Sequence, residues 1–196
     1  MCSSDLVQQD VIATNPCAKL DRSIEPREKD LIRVEWLDQM VQSCSTIEER
    51  YWLRLMQWTG CRLREGLSLR ARDFDLVKNR ILIQESKNNR VRVNPIYPAI
   101  AGYVAELLRR LGPDDRVLAR ITEHNCYDWI YELQERVGVP RWSPPYNAFR
   151  ATRANQLASD PTITPQQAGL LLGHSPMVAR RNYLSVEDSL LERPAS

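Results

Sequence analysis

The sequence predicts an α+β fold that is mainly helical and contains a small antiparallel β-sheet. Over most of the chain, apolar residues recur at intervals of three or four, which is the spacing of one helix face. Between residues 80 and 93 the interval changes to two, where two short apolar runs flank a polar turn. A chain of 196 residues can bury one sizeable core. We therefore expect one domain, with or without a short appendage.

The first thirty residues differ in character from the rest. They are polar, carry Pro16 and Pro26, and have no sustained periodicity. We interpret residues 1–30 as a linker, or as the tail of something upstream, and place the globular domain at residues 31–196.

Two helices open the globular part. Apolar residues recur at helical spacing over residues 32–41. A second helix begins where Thr46 and Glu49 stand in the spacing of a capping box, and it ends at Gly60. Residues 61–69 then predict a short helical turn.

That turn places two opposite charges, Arg62 and Glu65, three residues apart on one side. Taken alone, they predict a surface ion pair worth under ~1 kcal/mol.

The sheet is predicted from a hairpin. Arg80–Gln84 and residues 91–93 have the composition of strands, and the polar residues 85–90 between them suit a turn. Lys87 lies at the tip of that turn, where a lysine is ordinarily a solubilising residue.

Four further helices are predicted, two of which look like scaffold. They cover residues 98–111 before Gly112, residues 123–137 between Thr122 and Gly138, a segment from about Tyr146, and a segment from Thr164 and Pro165 to Gly173. Arg150 falls in the first turn of the Tyr146 helix, where the helix dipole favours anions, so it hints at an anionic ligand.

Charge and cysteine content limit the possible functions. The net charge is only +2, but residues 62–92 form a basic block that either neutralises a polyanion or is a solvated face. The five cysteines are odd in number and form no C-x-x-C pair, and the two histidines are too few for a histidine-rich metal centre. We found no signal peptide or membrane span in the sequence, and we expect a cytoplasmic protein without disulfides.

A tyrosine near the C-terminus is a candidate nucleophile. Tyr183 follows Arg180 and Arg181, and a phenol needs cationic neighbours or a base to become nucleophilic near neutral pH. The alternative is an ordinary helix tyrosine whose ring packs and whose hydroxyl reaches water.

Several blocks, in order, resemble the catalytic domain of the tyrosine recombinases, the phage integrase family. Tyr183 also lies nine positions after His174, as in the family. The blocks are Thr59 to Leu67 with Leu69 and Asp73 to Asp75, Ser86-Lys87, Asn147 to Thr152, Leu171 to Ser175, and Tyr183.

The resemblance implies a reaction and a site. Tyr183 would attack a DNA phosphodiester to give a 3′-phosphotyrosine and a free 5′-hydroxyl, with no metal or other cofactor. Arg62 and Arg150 would bind the phosphate, His174 would donate a further hydrogen bond, and Lys87 would be the general acid.

The same resemblance implies supporting residues and partners. Glu65 would hold Arg62 in place. The expected DNA contacts are Arg64, Arg90, Arg153, Arg180 and Arg181. The partner would be double-stranded DNA, bound by a monomer that joins a tetrameric synapse, and residues 1–30 would follow a missing N-terminal DNA-binding domain.

Two features depart from the family. Asn147 stands where the family pattern has a histidine, and an amide cannot accept a proton from Tyr183. The spacing from Arg150 to His174 is slightly longer than usual, around residues 160–162. We therefore expect slow activity, or activity only in an assembled complex.

Three alternatives remain open at this point. The first is a type IB topoisomerase-like enzyme that nicks and reseals one duplex. The second is a DNA-binding regulator on the same fold that has lost the reaction, for which Asn147 is the best support. The third is a helical interaction module in which Arg62, Arg150 and Tyr183 never meet.

Overall fold

A computed structural model describes residues 31–84 and 91–173 of the chain. In these residues the chain forms seven α-helices and one three-stranded antiparallel sheet, which confirms the predicted α+β fold. The helices are α1 (Val34–Ser43), α2 (Ile47–Thr59), α3 (Leu63–Ser68), α4 (Pro98–Leu108), α5 (Cys126–Val137), α6 (Pro145–Ser159) and α7 (Pro165–Leu172). The strands are β1 (Phe74–Asp75), β2 (Arg80–Gln84) and β3 (Val91–Pro95). None of the described helices is long and apolar enough to cross a membrane.

Helix α2 is the centre of the domain and packs against α1, α4 and α6. Because it is covered on several sides, it carries apolar residues on more than one face. Five of them are fully buried: Tyr51, Trp52, Leu53, Leu55 and Met56. The Trp52 ring lies 5.7 Å from the ring of Tyr146 in α6, and its indole N–H donates to the Tyr146 hydroxyl at 3.4 Å. These contacts fix α6 against α2, and α6 carries Arg150.

The sheet has the strand order β1-β2-β3, and β3 is an edge strand. In β2, Ile81 and Ile83 are fully buried. Their partners across the ladder are Asn94 and Arg92, which share the same face and are buried as well. The two valines of β3 point to the other face and are exposed. One charged and one polar side chain therefore lie on the inner face of the sheet.

The helix ends follow the predicted signals. The Glu49 N–H donates to the Thr46 hydroxyl at 3.3 Å and the Thr46 N–H donates to Glu49 Oε2 at 3.0 Å, so the capping box of α2 is complete. Helices α2, α5 and α7 end at Gly60, Gly138 and Gly173, all in the left-handed conformation. That conformation explains why glycine stands at each end.

Two helices have a boundary that lies three residues from the predicted one. Helix α5 begins at Cys126 rather than 123, because the Asn125 side chain accepts from the Thr122 N–H and donates to the Arg120 carbonyl, at 2.8 Å in each case, and holds a turn. Helix α4 ends at Leu108 rather than 111, since the next amides bond to carbonyls three residues back.

A small second core attaches α7. Leu157 of α6 packs with Ala168 and Leu172 of α7 in a cluster separate from the main core. Helix α7 also contacts β3, so it lies beside the sheet.

Candidate active site

Arg62 lies at the N-cap of α3, two residues after the left-handed Gly60. Its backbone N–H donates to Glu65 Oε2 at 2.9 Å, and its Nη1 donates to Glu65 Oε1 at 2.6 Å. One carboxylate therefore binds both the main chain and the guanidinium of Arg62. The Glu65 side chain is completely buried while that of Arg62 is 40% exposed. This burial distinguishes the pair from the surface ion pair that spacing alone predicted.

Arg92 of β3 is the second cation at Glu65. Its Nη2 lies 2.8 Å from Glu65 Oε2, and its side chain is only 6% exposed. Burial alone would raise the pKa of the Glu65 carboxyl, but Arg92 and the hydrogen bonds from Arg62 outweigh it, so the pKa is lowered from its usual value. Glu65 is therefore a buried carboxylate that stays ionised because it is paired.

Arg150 of α6 bonds to the ends of two other helices. Its Nη1 donates to the Gly60 carbonyl at 2.7 Å and its Nη2 to the Leu172 carbonyl at 2.6 Å. Carbonyls at helix C-termini lack partners within the helix and carry the negative end of the dipole, so they bind a cation well. The position of Arg150 in its own helix suggested an anionic ligand, but these carbonyls already account for its placement.

Burial, together with the positive charges of Arg62 and Arg92, lowers the pKa of Arg150 to about 10. The opposing charge that acts on Arg150 is the carboxylate of Glu65, which Arg62 and Arg92 contact directly. The site therefore carries an excess of positive charge and suits an anion.

The two predicted phosphate-binding arginines meet at the end of α7. Arg62 Nη2 donates to the Gly173 carbonyl at 3.2 Å, and Arg150 donates to the carbonyl of the preceding Leu172. The segments that carry them are far apart in the chain, yet they bind consecutive carbonyls. His174 follows directly in the sequence.

Asn147 is exposed on α6, three residues before Arg150 and hence on the same face. The other predicted catalytic residues, Lys87, His174 and Tyr183, lie outside the described residues. So do Arg90, Arg180 and Arg181.

The two remaining predicted DNA contacts differ from each other. Arg64 is exposed on α3 and lies 3.3 Å from Glu123, at a cleft of about 450 Å³ that neither Arg62 nor Arg150 lines. Its exposure is compatible with a DNA contact.

Arg153 is 8% exposed, with its guanidinium 5.4 Å from the Trp58 ring and 5.1 Å from the Tyr97 ring. It also donates to the Tyr97 hydroxyl at 3.2 Å. Arg153 therefore packs α6 against α2 and the start of α4. Little of its side chain is exposed, and the DNA contact at Arg153 stays a prediction.

From the sequence, Arg92 is predicted only as one member of the basic block. In a Val-Arg-Val run the valines are the expected inward residues, but pairing with β2 turns Arg92 inward instead. The sequence carries no clear signal for this, because the burial of Glu65, which calls for more than one cation, is seen only in the structure.

The described residues bring no three His, Cys, Asp or Glu side chains together as a metal site. Their cysteines, Cys44, Cys61 and Cys126, are free and buried.

The helical architecture and the small antiparallel sheet match the fold that the resemblance predicted, that of the catalytic domains of tyrosine recombinases. A model of the phage integrase family matches residues 31–189, and the chain belongs to that family. No curated protein matches the chain.

Solved structures show the same fold at low sequence identity. XerA recombinase matches with a TM-score of 0.69 and 16% identity over 87% of this chain and 68% of its own. XerH recombinase in a post-cleavage complex with a palindromic difH substrate matches with a TM-score of 0.68 and 21% identity over 88% of this chain and 54% of its own. A lambda integrase dimer bound to a COC′ core site matches with a TM-score of 0.68 and 15% identity over 92% of this chain and 55% of its own. The chain thus spans about half the length of the last two.

Proposed function

We propose that the chain is the catalytic domain of a site-specific DNA recombinase that cleaves and rejoins strands through a 3′-phosphotyrosine. The observation that carries the proposal is the convergence of Arg62 and Arg150 on the carbonyls of Leu172 and Gly173, next to His174 in the chain. Two guanidiniums held by main-chain and carboxylate contacts form a preorganised site for a phosphate.

In the proposed reaction the phenolic oxygen of Tyr183 attacks the scissile phosphorus. The new bond joins phosphorus to the tyrosine, and the bond from phosphorus to the 5′-oxygen breaks. The leaving oxygen takes a proton from Lys87, and the phenolic proton passes to water. In the rejoining step, a 5′-hydroxyl from another strand attacks the phosphotyrosine and releases Tyr183. The phosphotyrosine conserves the energy of the phosphodiester bond between cleavage and rejoining.

The arginines act on the charge that develops on the non-bridging oxygens. Arg62 is fixed by Glu65 and Arg150 by two carbonyls, so neither needs to reorganise when the transition state forms. Loss of one such donor typically costs on the order of 10²–10³ in rate. His174 adds a further hydrogen bond to the same phosphate.

Asn147 sets the expected limit on this activity. Its amide donates and accepts hydrogen bonds but cannot take the phenolic proton. Since a positioned base contributes typically ~10²–10⁴-fold, we expect slow cleavage, or cleavage that depends on an assembled complex.

The proposed partner is double-stranded DNA, bound by monomers that assemble into a tetramer at the synapse. XerH and lambda integrase were solved on DNA substrates, and their fold is the one found here. Residues 1–30 then link this domain to an N-terminal DNA-binding domain that grips the other side of the duplex.

Covalent capture tests the proposal. The full chain is incubated with a randomised pool of nicked duplexes, and protein-linked DNA is recovered after denaturation and sequenced. We expect an adduct that Tyr183→Phe abolishes and that Tyr127→Phe, on the exposed face of α5, leaves intact.

Other outcomes point to the alternatives. DNA binding without any adduct, also with an N-terminal domain restored, overturns the proposal and favours the inactive regulator, which Asn147 supports. Relaxation of supercoiled DNA without strand exchange favours the topoisomerase-like enzyme.

A further inference from the structure

Arg92 is a buried cation that the proposed reaction does not use. Its side chain is 6% exposed, and it comes from the inner face of an edge strand rather than from any segment of the family pattern. It lies against the same carboxylate that holds Arg62. Its position thus links the sheet to the phosphate-binding site.

A purely structural explanation for Arg92 is weak. Burying an ion pair seldom stabilises a fold more than apolar residues of similar size would. The Nε and Nη1 of Arg92 are also buried without a hydrogen-bond partner in the part of the chain that the structure describes. Such a costly arrangement is expected where a charge has a further task.

We propose that Arg92 is a positioning residue, which holds the Glu65 carboxylate so that the carboxylate in turn fixes Arg62 for phosphate binding. The inference rests on the proposed function. Arg92 also adds positive potential to the phosphate site without touching the phosphate. The carboxylate has two oxygens: Oε1 binds Arg62 Nη1, and Oε2 is shared by the Arg62 N–H and Arg92.

Among the described residues, removal of Arg92 would leave Glu65 in contact with a single side-chain cation, Arg62, which is partly exposed. In that part of the chain, the charged or titratable groups that act on Glu65 or feel its charge are Arg62, Arg92, Arg150 and Cys61. Without Arg92, burial dominates, so either Arg62 is drawn inward or Glu65 takes up a proton. Either change moves the Arg62 guanidinium away from its bound position.

The test uses four variants of the full chain: Arg92→Met, Arg92→Lys, Glu65→Gln and the Arg92→Met/Glu65→Gln double variant. The single-turnover rate of adduct formation is measured on a captured nicked duplex between pH 6 and pH 8.5. Affinity for the same duplex is measured in a Tyr183→Phe background. Circular dichroism checks that each variant is folded.

We expect Arg92→Met to lower the rate about tenfold to a hundredfold, less than the loss of a direct phosphate donor, with affinity changed by less than about threefold. The deficit should widen as the pH falls, because the unpaired carboxyl is protonated more readily. Arg92→Lys should recover part of the rate. The double variant should be faster than Arg92→Met and lose the extra pH dependence, since it leaves no unpaired buried charge.

A rate for Arg92→Met equal to the wild-type rate at every pH overturns the inference, and so does a deficit that neither Arg92→Lys nor the double variant relieves. Crystal structures of the wild type and Arg92→Met give a readout that needs no activity. If Arg62 keeps its contacts to Glu65 and Gly173 in the variant, Arg92 does not position it. A wild type that forms no adduct while Arg62 moves in the variant would count against the proposed function alone.

Discussion

Gly60 combines a packing role and a site role in one residue. Its φ is +56°, and its carbonyl accepts from Arg150. A β-carbon at this position would lie 2.9 Å from Leu172 Cδ2 and 3.1 Å from the β-carbon of Arg153. Helices α6 and α7 can approach Gly60 closely only because it has no side chain. The position of the Gly60 carbonyl relative to Arg150 depends on the same close approach.

Gly60→Ala should therefore destabilise the protein by about 1–3 kcal/mol from the backbone conformation alone, with the close contacts adding to the loss. Urea denaturation measures the change. Gly102→Ala is the matched control, because nothing lies within 4 Å of that β-carbon on the exposed side of α4. It should stabilise the protein by roughly 0.5–1 kcal/mol. Equal effects of the two substitutions would contradict the role given to Gly60.

At single residues, the sequence predicted what short-range spacing determines. The distance of three residues brings Arg62 and Glu65 together, and the structure has that pair. The burial of Arg92 and Arg153 could not be predicted, because it depends on partners remote in sequence: the register of β3 on β2 turns Arg92 inward, and Trp58 and Tyr97 enclose Arg153.

Helix α7 is the element at whose end the two arginines proposed to bind the phosphate meet. It has only eight residues and rests on the small second core. A helix this short is marginal in isolation and depends on its caps and on packing. At its N-terminus, the Thr164 hydroxyl accepts from the Gln167 N–H at 3.3 Å.

Thr164→Ala should lower the free energy of unfolding by about 1 kcal/mol, because the cap is lost. The substitution should also accelerate amide exchange in α7 more than in α2. Hydrogen exchange read by mass spectrometry measures the second effect. Thr164→Ser keeps the hydroxyl and should leave both values near those of the wild type. Uniform acceleration across α2 and α7 would show that the cap does not act locally.

The sequence predicted the existence and type of the longer elements better than their limits. Capping residues and left-handed glycines mark α2 and α7 in the sequence itself. Strand β1 was not predicted, because two residues are too few to show alternation. The late start of α5 follows from one asparagine side chain that bonds within its own turn, which apolar spacing does not reveal.

In the molecule as a whole, positive charge is locally concentrated, although the net charge is small. The net charge is +2, yet Arg62, Arg92 and Arg150 act on one site. Composition therefore gives no indication of the proposed DNA binding. The order of the sequence blocks, in contrast, predicts both the fold and the protein family.

DNA binding should depend strongly on salt. The logarithm of the association constant should fall linearly with the logarithm of salt concentration, with a slope of about −0.9 per phosphate contacted. Arg64→Gln should reduce that slope by about one. Arg109→Gln is the control, since Arg109 is not a predicted DNA contact and its side chain is 72% exposed against 76% for Arg64. Fluorescence anisotropy over a salt series measures the slope for each variant. Equal slopes for the two variants would exclude a phosphate contact at Arg64.

The shared carboxylate of Glu65 also has a consequence for folding. Its contact with Arg62 is local and can form early, whereas Arg92 must arrive with the paired hairpin and Arg150 must arrive with a helix docked from much further along the chain. A chain that has folded only its first helices would hold one arginine in place and no converging pair. The proposed DNA cleavage would then require complete folding, so a nascent or partly unfolded chain would not cut DNA.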